Sequence, residues 1–248
     1  MNQIEVVIKQ NKDKTNMVGR DVFSCLKVNI PTEGEFMKRV LTYAEKTRLH
    51  LNKGQANTSE NRNMSIVDID NLSGLIAEAA CEKILKLKYG EDKIIKPPNN
   101  TGNNQIDLML NNRKTMEIRS SCVRNGLDFA LFAADKENRR QQYFDVIGPY
   151  TNGYKKSESY KDYYMRVFYE CDKRFFMSLL KLPYIALYIT GGATKAMMMD
   201  EKIFQIKHLV PAGGQVQIES DYKVIPLARS LDINEFFEKL EKENDLKK

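Results

Sequence analysis

Asp107, Glu117 and Arg119 are residues whose types and spacing suit metal-assisted chemistry. They lie in two short runs of alternating apolar and polar residues, joined by Asn-Asn-Arg, a pattern typical of a β-hairpin. A turn centred on Asn112 places Asp107 opposite Glu117 and puts Arg119 on the same face. Opposed carboxylates repel one another, and a divalent cation held between them would offset that repulsion; hard oxygen ligands suit Mg²⁺ or Mn²⁺.

The other face of this hairpin is apolar, and Lys114 also falls on it in the predicted register. The apolar side chains of that face are Ile106, Leu108, Leu110, Met116 and Ile118. A strand pair with one apolar and one charged face is also typical of an ordinary solvated surface, and Arg119 alone could neutralise the two acids. The pattern therefore leaves both a metal site and a solvated surface open.

A helix over Leu72–Lys88, capped by Asp70 or Asn71, is predicted ahead of the hairpin. Glu78 lies on this helix, in one charged strip with Glu82 and Lys86. An i,i+4 pair of glutamate and lysine is common on exposed helix surfaces. Glu78 is therefore either a support for the two hairpin acids or one member of a solvated face.

Further helices and strands complete an α/β sheet flanked by helices. Strands are predicted near Ile4–Ile8, Val22–Val28, Tyr143–Ile147, Tyr184–Thr190 and Tyr222–Leu227. Capping-box spacing indicates a helix over about 33–51, opened by Thr32 and Glu35, and another from Asp232 to near Asn244. Tyr164 and Phe168 suit a packed helix. Gly191-Gly192 and Gly213-Gly214 lack the spacing of a phosphate-binding loop and are interpreted as turns, so no nucleotide cofactor is expected.

The order of a helix bearing Glu78, a strand reaching Asp107 and the segment Glu117-Ile-Arg119 resembles the PD-(D/E)xK nuclease superfamily. The resemblance covers roughly residues 70–122, and Ile106 and Arg119 stand where the family pattern has proline and lysine. It implies a restriction-endonuclease-like core, a mixed central β-sheet flanked by helices, with additional DNA-contacting segments.

The resemblance also implies a function, a Mg²⁺-dependent, site-specific endonuclease for double-stranded DNA. Asp107 and Glu117 would bind the metal, with Mn²⁺ as a possible substitute, and Glu78 would support them. Arg119 stays protonated and cannot act as a general base, but it could steady the attacking hydroxide or the phosphate. A homodimer would match a palindromic site.

Two other functions stay open at this point. One is a repair, phage or defence nuclease of the same fold that recognises DNA structure rather than sequence. The other is an inactive DNA- or RNA-binding module, which the missing lysine at position 119 makes credible.

Basic, aromatic and amide residues outside the hairpin are candidates for DNA contact, because they pair with phosphates, stack on bases or recognise adenine. These candidates are Arg124, Arg139, Arg140, Tyr154, Lys155, Lys156, Asn103, Asn104 and Gln105. The segment 143–169 holds seven tyrosines, about half of which we expect to be structural, and its turn-rich part 148–154 is the favoured groove-contacting loop.

Composition excludes several alternative chemistries. The net charge is +6, from 39 basic and 33 acidic residues, which is compatible with nucleic acid without identifying it. Two histidines and four scattered cysteines without a C-x-x-C pair argue against histidine-rich metal sites, zinc ribbons and disulfide frameworks. The N-terminus has no apolar signal core and no run is long enough for a membrane span, so a cytoplasmic location is expected.

The domain organisation expected from these elements is a single nuclease domain over 1–248. Within it, 1–66 would form an N-terminal helical and loop region, 67–230 the catalytic core and 231–248 a C-terminal helix.

Overall fold

The chain forms a mixed α/β fold in a computed structural model, which describes residues 3–11, 20–48, 64–97, 106–133, 144–151, 158–208 and 221–246. The strands are β1 (Gln3–Gln10), β2 (Val22–Pro31), β3 (Ile94–Ile95), β4 (Leu108–Leu110), β5 (Thr115–Cys122), β6 (Val146–Thr151), β7 (Tyr163–Tyr169), β8 (Tyr184–Thr194), β9 (Gln205–His208) and β10 (Asp221–Ile225). The helices are α1 (Glu35–Arg48), α2 (Met64–Tyr89), α3 (Lys195–Met199) and α4 (Ile233–Asn244).

Seven strands make the main sheet in the order β1-β2-β8-β7-β5-β4-β3, and three make a small sheet in the order β6-β10-β9. The main sheet is mixed, because β5 and β7 run parallel while its other neighbours are antiparallel. The predicted sheet flanked by helices is therefore confirmed. No helix among the described residues is both long and apolar enough to cross a membrane.

The hairpin β4–β5 has the predicted register. Leu108 pairs with Met116, and the Leu110 amide donates to the Lys114 carbonyl at 2.8 Å. The Asn-Asn-Arg turn closes with Arg113 in the left-handed region, at φ 67°. The prediction for Lys114 is wrong, because its side chain is exposed and its Nζ lies 3.1 Å from Asp162 Oδ1. Lys114 lies at the turn end of the β4–β5 pairing, where a long side chain reaches solvent whichever face of the sheet it starts from.

The two faces of the main sheet are covered differently. α1, α2 and α4 pack on one face, where Met116 and Ile118 join the larger apolar core. Since side chains alternate along a strand, Glu117 and Arg119 point to the opposite face. A second apolar core lies on that opposite face and includes Tyr164 and Phe168 of β7.

β7 corrects the prediction that Tyr164 and Phe168 belong to a packed helix, because both lie in a strand. Tyr163, Tyr164 and Tyr169 are buried in a strand between β5 and β8. A strand covered on both faces has a continuous apolar sequence without alternation, so periodicity does not distinguish it from a buried helix. The described tyrosines of β7 therefore belong to the core.

The helix starts differ from their predictions in two of three cases. α1 begins at Glu35, where the Lys38 amide donates to the Gly34 carbonyl at 3.1 Å, whereas the Thr32 hydroxyl donates to the Leu182 carbonyl. α2 begins at Met64, so that Asp70 lies inside the helix and is not its cap. The Asp70 carboxylate instead pairs with Lys173, at 2.5 Å. The apolar helical pattern continues upstream of Asp70, which explains the earlier start.

The capping box of α4 is confirmed. The Asp232 carboxylate accepts from the amides of Asn234 and Glu235, each at 3.0 Å, and the Glu235 carboxylate accepts from the Asp232 amide at 2.9 Å. Asp232 also accepts from the Ser24 amide at 3.2 Å, which ties the helix start to β2.

Gly191 and Gly192 lie inside β8, not in a turn, at an irregularity of the β7–β8 ladder. A Cβ on Gly192 would meet the Tyr164 carbonyl oxygen at 1.8 Å, so only glycine fits against β7 here. Gly191 has φ +94°, which also favours glycine.

Replacing Gly192 by alanine should destabilise the protein by more than about 4 kcal/mol, because backbone must move to admit the methyl group. Gly74→Ala is the matched change, since a Cβ there meets nothing within 4 Å and Gly74 lies inside α2. It should stabilise by about 1 kcal/mol. Urea unfolding measures the change in the free energy of unfolding for both variants. Equal changes would contradict the close packing of Gly192 against β7.

Candidate functional site

Asp107 lies at the bend immediately before β4, and its side chain joins the two strands of the hairpin. Its Oδ2 accepts a hydrogen bond from the Ile118 amide at 2.7 Å. Asp107 therefore comes against the segment Glu117–Arg119, as the hairpin register predicts. Ile118 holds the carboxylate by its backbone while its side chain packs in the helix-side core.

Glu117 and Arg119 form an ion pair, in which Arg119 Nη2 contacts Glu117 Oε1. Glu117 is only 8% exposed. Glu117, and to a smaller extent Glu158 and Asp107, raise the pKa of Arg119 above its ordinary value. Arg119 is therefore a permanent cation beside the acids. Its buried Nε has no hydrogen-bond partner among the described residues.

Glu78 reaches the same region from α2. Its side chain is 15% exposed, and its Oε2 accepts from Lys96 Nζ at 3.3 Å. Burial raises the pKa of Glu78 and the Lys96 ammonium opposes that rise. Glu82, by contrast, makes the surface pair expected of it, at 2.8 Å from Lys86. Glu78 and Glu82 thus have different partners, although the negative charge of Glu82 adds to the rise in the pKa of Glu78.

The charges converge on Asp107. Its pKa is raised to about 8, first by burial and then by the negative charges of Glu78 and Glu117. The Ile118 amide and Arg119 oppose this rise without cancelling it. We call Glu78, Asp107 and Glu117, with their cations Lys96 and Arg119, the acidic centre.

Lys96 is a member of the acidic centre that the sequence analysis missed. It directly follows β3, whose Ile95 pairs with Met109 of β4, so the strand pairing brings Lys96 towards the start of β4. Neither its spacing from Asp107 nor its sequence context marks it, because the contact with Glu78 depends on the packing of α2 against the sheet edge.

Arg166 is a second residue the sequence analysis missed. It lies on β7 opposite Arg119 in the parallel ladder, is 1% exposed, and donates from Nη2 to Ser121 Oγ at 2.8 Å. Burial lowers the pKa of Arg166 to about 9, while Asp145 opposes this and Arg119 adds to it. A single arginine in a run of seven otherwise uncharged residues was the signal that could have revealed it.

The candidate DNA contacts are only partly within the described residues. Arg124 is exposed in the turn that follows β5. The remaining candidates, Arg139, Arg140, Tyr154, Lys155, Lys156, Asn103, Asn104 and Gln105, lie outside the described residues. Of the loop 148–154, the part up to Thr151 belongs to β6.

Metal-binding potential rests on a pair of acids. In the described part of the chain, no group of three or more His, Cys, Asp or Glu side chains is arranged to hold a metal ion. Mg²⁺, however, is commonly bound by one or two carboxylates and keeps several waters. Asp107 and Glu117 therefore suit Mg²⁺ better than a metal that needs a full cage of protein ligands.

Comparisons of the chain with protein-family models, curated proteins and solved structures give no match. The case for a function therefore depends on the acidic centre itself. In it the Ile118 amide holds Asp107, Arg119 pairs with Glu117, and burial together with the charges of Glu78 and Glu117 raises the pKa of Asp107.

The acidic centre should make the metal-free protein less stable as pH rises. Asp107 has an ordinary pKa of 3.8 and a folded pKa of about 8. Since the folded state holds this proton more tightly, its contribution to stability is complete below the ordinary pKa and is lost as pH rises through about 8. In the Asp107→Asn variant the free energy of unfolding should no longer fall with rising pH, and at alkaline pH it should exceed that of the wild-type protein. Urea unfolding in EDTA at a series of pH values measures this slope of stability against pH.

Asp172→Asn is the control for this measurement. Hydrogen bonds from Arg174 lower the pKa of Asp172 to about 2, so it is ionised throughout the window in which Asp107 titrates. The control should keep the wild-type slope. An Asp107→Asn protein with an unchanged slope would show that Asp107 is not the group responsible.

Proposed function

We propose that the protein is a Mg²⁺-dependent endonuclease of the PD-(D/E)xK type that hydrolyses phosphodiester bonds in double-stranded DNA at a specific sequence. The observation that carries the proposal is the convergence of Asp107 and Glu117 beside Arg119, with Asp107 under the repulsion of two neighbouring acids. A buried group of like charges is costly unless a cation compensates it.

The residues present fit a bound Mg²⁺. Asp107 and Glu117 would hold it, and a divalent charge would offset the burial and the repulsion that together raise the pKa of Asp107. When bound, Mg²⁺ supplies a water of lowered pKa and neutralises charge on the phosphate. Mn²⁺, which also prefers oxygen ligands, would be a substitute.

Arg119 and Glu78 have distinct roles in this proposal. Arg119 stays charged and presents a guanidinium beside Glu117, where it would stabilise the negative charge that develops on the phosphate. Its buried Nε–H has no acceptor among the described residues and would gain one if a phosphate oxygen approached. Glu78, held by Lys96, keeps negative charge near Asp107 and so favours binding of a cation.

The surrounding fold agrees with the proposal at a coarse level, since a seven-stranded mixed sheet flanked by helices carries the hairpin at its β3 edge. We extend the proposal to a restriction-endonuclease-like core, a cytoplasmic homodimer on a two-fold DNA site, and phosphate contact by the exposed Arg124.

Plasmid digestion with Mg²⁺, followed by sequencing of the ends, tests the proposal. Discrete fragments with one recurring end sequence are expected. Asp107→Asn and Glu117→Gln should each lower the cleavage rate by about 100-fold or more, since each removes a ligand charge. Glu243→Gln is the matched control and should cleave normally, because Glu243 pairs with Lys239 on α4, outside the acidic centre.

Other results would assign another function. Cleavage confined to forks, flaps or nicks would identify a nuclease that recognises structure. DNA binding without cleavage at any metal concentration would contradict the nuclease, and so would full activity of both acidic-centre variants.

Substitutions of Arg119 test its role separately. Arg119→Met should lower kcat by about 100-fold with little change in KM, because the cation acts on charge that develops during reaction. Arg119→Lys should retain most of the activity, since it keeps a cation and creates the (D/E)-x-K pattern. Loss of activity in both variants with a raised KM would instead indicate that Arg119 only binds DNA.

A further inference from the structure

A groove between α1 and α2 opens beside the acidic centre, with a volume of about 350 Å³. α1 presents one face to it, since its lining residues recur at helical spacing, and so does α2. The residues that matter here are Phe36, Arg39, Tyr43, Lys83, Lys86 and Lys96. Cavities of this size accommodate small organic ligands.

The groove carries an excess of positive charge, because four of its lining residues are basic and two are acidic. Lys86 lies between both acids, 2.8 Å from Glu82 and 3.2 Å from Glu91. Arg39 and Lys83, in contrast, have no carboxylate partner in the ranges that the structure describes. Among the described residues, two cations of the groove are therefore without a carboxylate and suit an anionic ligand.

Aromatic rings lie next to these cations. Lys83 Nζ is 5.8 Å from the ring centroid of Phe36, and Lys96 Nζ is 5.5 Å from that of Tyr43. Both rings are partly exposed. A site with aromatic surface and cations offers the two contacts that a nucleotide needs, stacking for the base and charge for the phosphate.

Lys96 connects the groove to the acidic centre. The same ammonium that lies over Tyr43 donates to Glu78 Oε2 at 3.3 Å, and Glu78 acts in turn on Asp107. A strand whose phosphate lay at Asp107 and Glu117 could thus continue past Lys96 towards α1.

We propose that this groove binds one nucleotide, unpaired from its complementary strand, of the DNA strand that continues from the acidic centre. Arg39 and Lys83 hold its phosphate, and the rings of Phe36 and Tyr43 contact its base. The inference rests on the proposed nuclease function, because that function supplies the strand.

The chain contains no tryptophan, which gives a direct probe of the groove. Tyr43→Trp places a single tryptophan there, in the Asp107→Asn background so that the strand stays intact. Titration with oligothymidylate should quench its fluorescence by base stacking. An abasic strand of the same length should bind with little quenching, because it keeps the phosphates and lacks the bases.

Charge removal tests the phosphate contact by a second readout. In the double variant Arg39→Gln/Lys83→Gln, the affinity for oligothymidylate should fall about tenfold, and the slope of log affinity against log salt should fall by about 0.7 for each cation lost. Lys38→Gln/Lys88→Gln is the matched control, since it removes one cation from each helix at positions that do not line the groove.

The groove and the nuclease can fail independently. Absence of quenching, or equal salt slopes for the two double variants, would overturn the groove even if wild-type protein cleaves plasmid. Quenching and a reduced slope would support the groove as a nucleotide site, whereas an inactive wild-type protein would overturn the nuclease on which its role depends.

Discussion

The structure around the hairpin depends on one hydrogen bond, from the Ile118 amide to Asp107 Oδ2 at 2.7 Å. It holds a carboxylate in a largely buried position, where Glu78 and Glu117 repel it. Burial of like charges costs free energy, and the apolar core beneath Ile118 must offset that cost. Apolar packing on the helix side of the sheet therefore stabilises a carboxylate whose pKa is raised.

The charged residues around Asp107 come from several elements of the fold. The hairpin supplies two acids and a cation from residues close in sequence, whereas α2 and the end of β3 supply Glu78 and Lys96 from a distance. Arg166 lies buried on the neighbouring strand, opposite Arg119. Positive charge thus borders the acidic centre from β3, β5 and β7, which would suit a substrate that is itself an anion.

Local signals were sufficient to predict the hairpin and the start of α4. The hairpin register follows from the alternation of Leu108, Leu110 and Met116 around a turn, and the capping box at Asp232 requires residues within a single turn. Thr32 had the same capping spacing, but its hydroxyl bonds to Leu182, which is distant in sequence. A capping pattern predicts a helix start only when tertiary contacts do not compete for the side chain.

The parts that the sequence could not predict depend on packing between distant segments. β7 has no alternation because both of its faces are buried, and the contact of Lys96 with Glu78 exists only once α2 lies against the sheet. The role of Glu78 also depends on this packing. The sequence alone left it undecided, because Glu78 shares one charged helix face with Glu82 and Lys86.

Calorimetric titration with Mg²⁺ tests most directly whether the two hairpin acids hold a metal ion. Since Asp107 has a pKa of about 8, Mg²⁺ binding near neutral pH should displace its proton. Titrations in buffers of different ionisation enthalpy should show release of about one proton per metal bound, and Asp107→Asn should abolish both binding and release. Unchanged Mg²⁺ binding by Asp107→Asn, or no binding by the wild-type protein, would contradict the assignment of this centre.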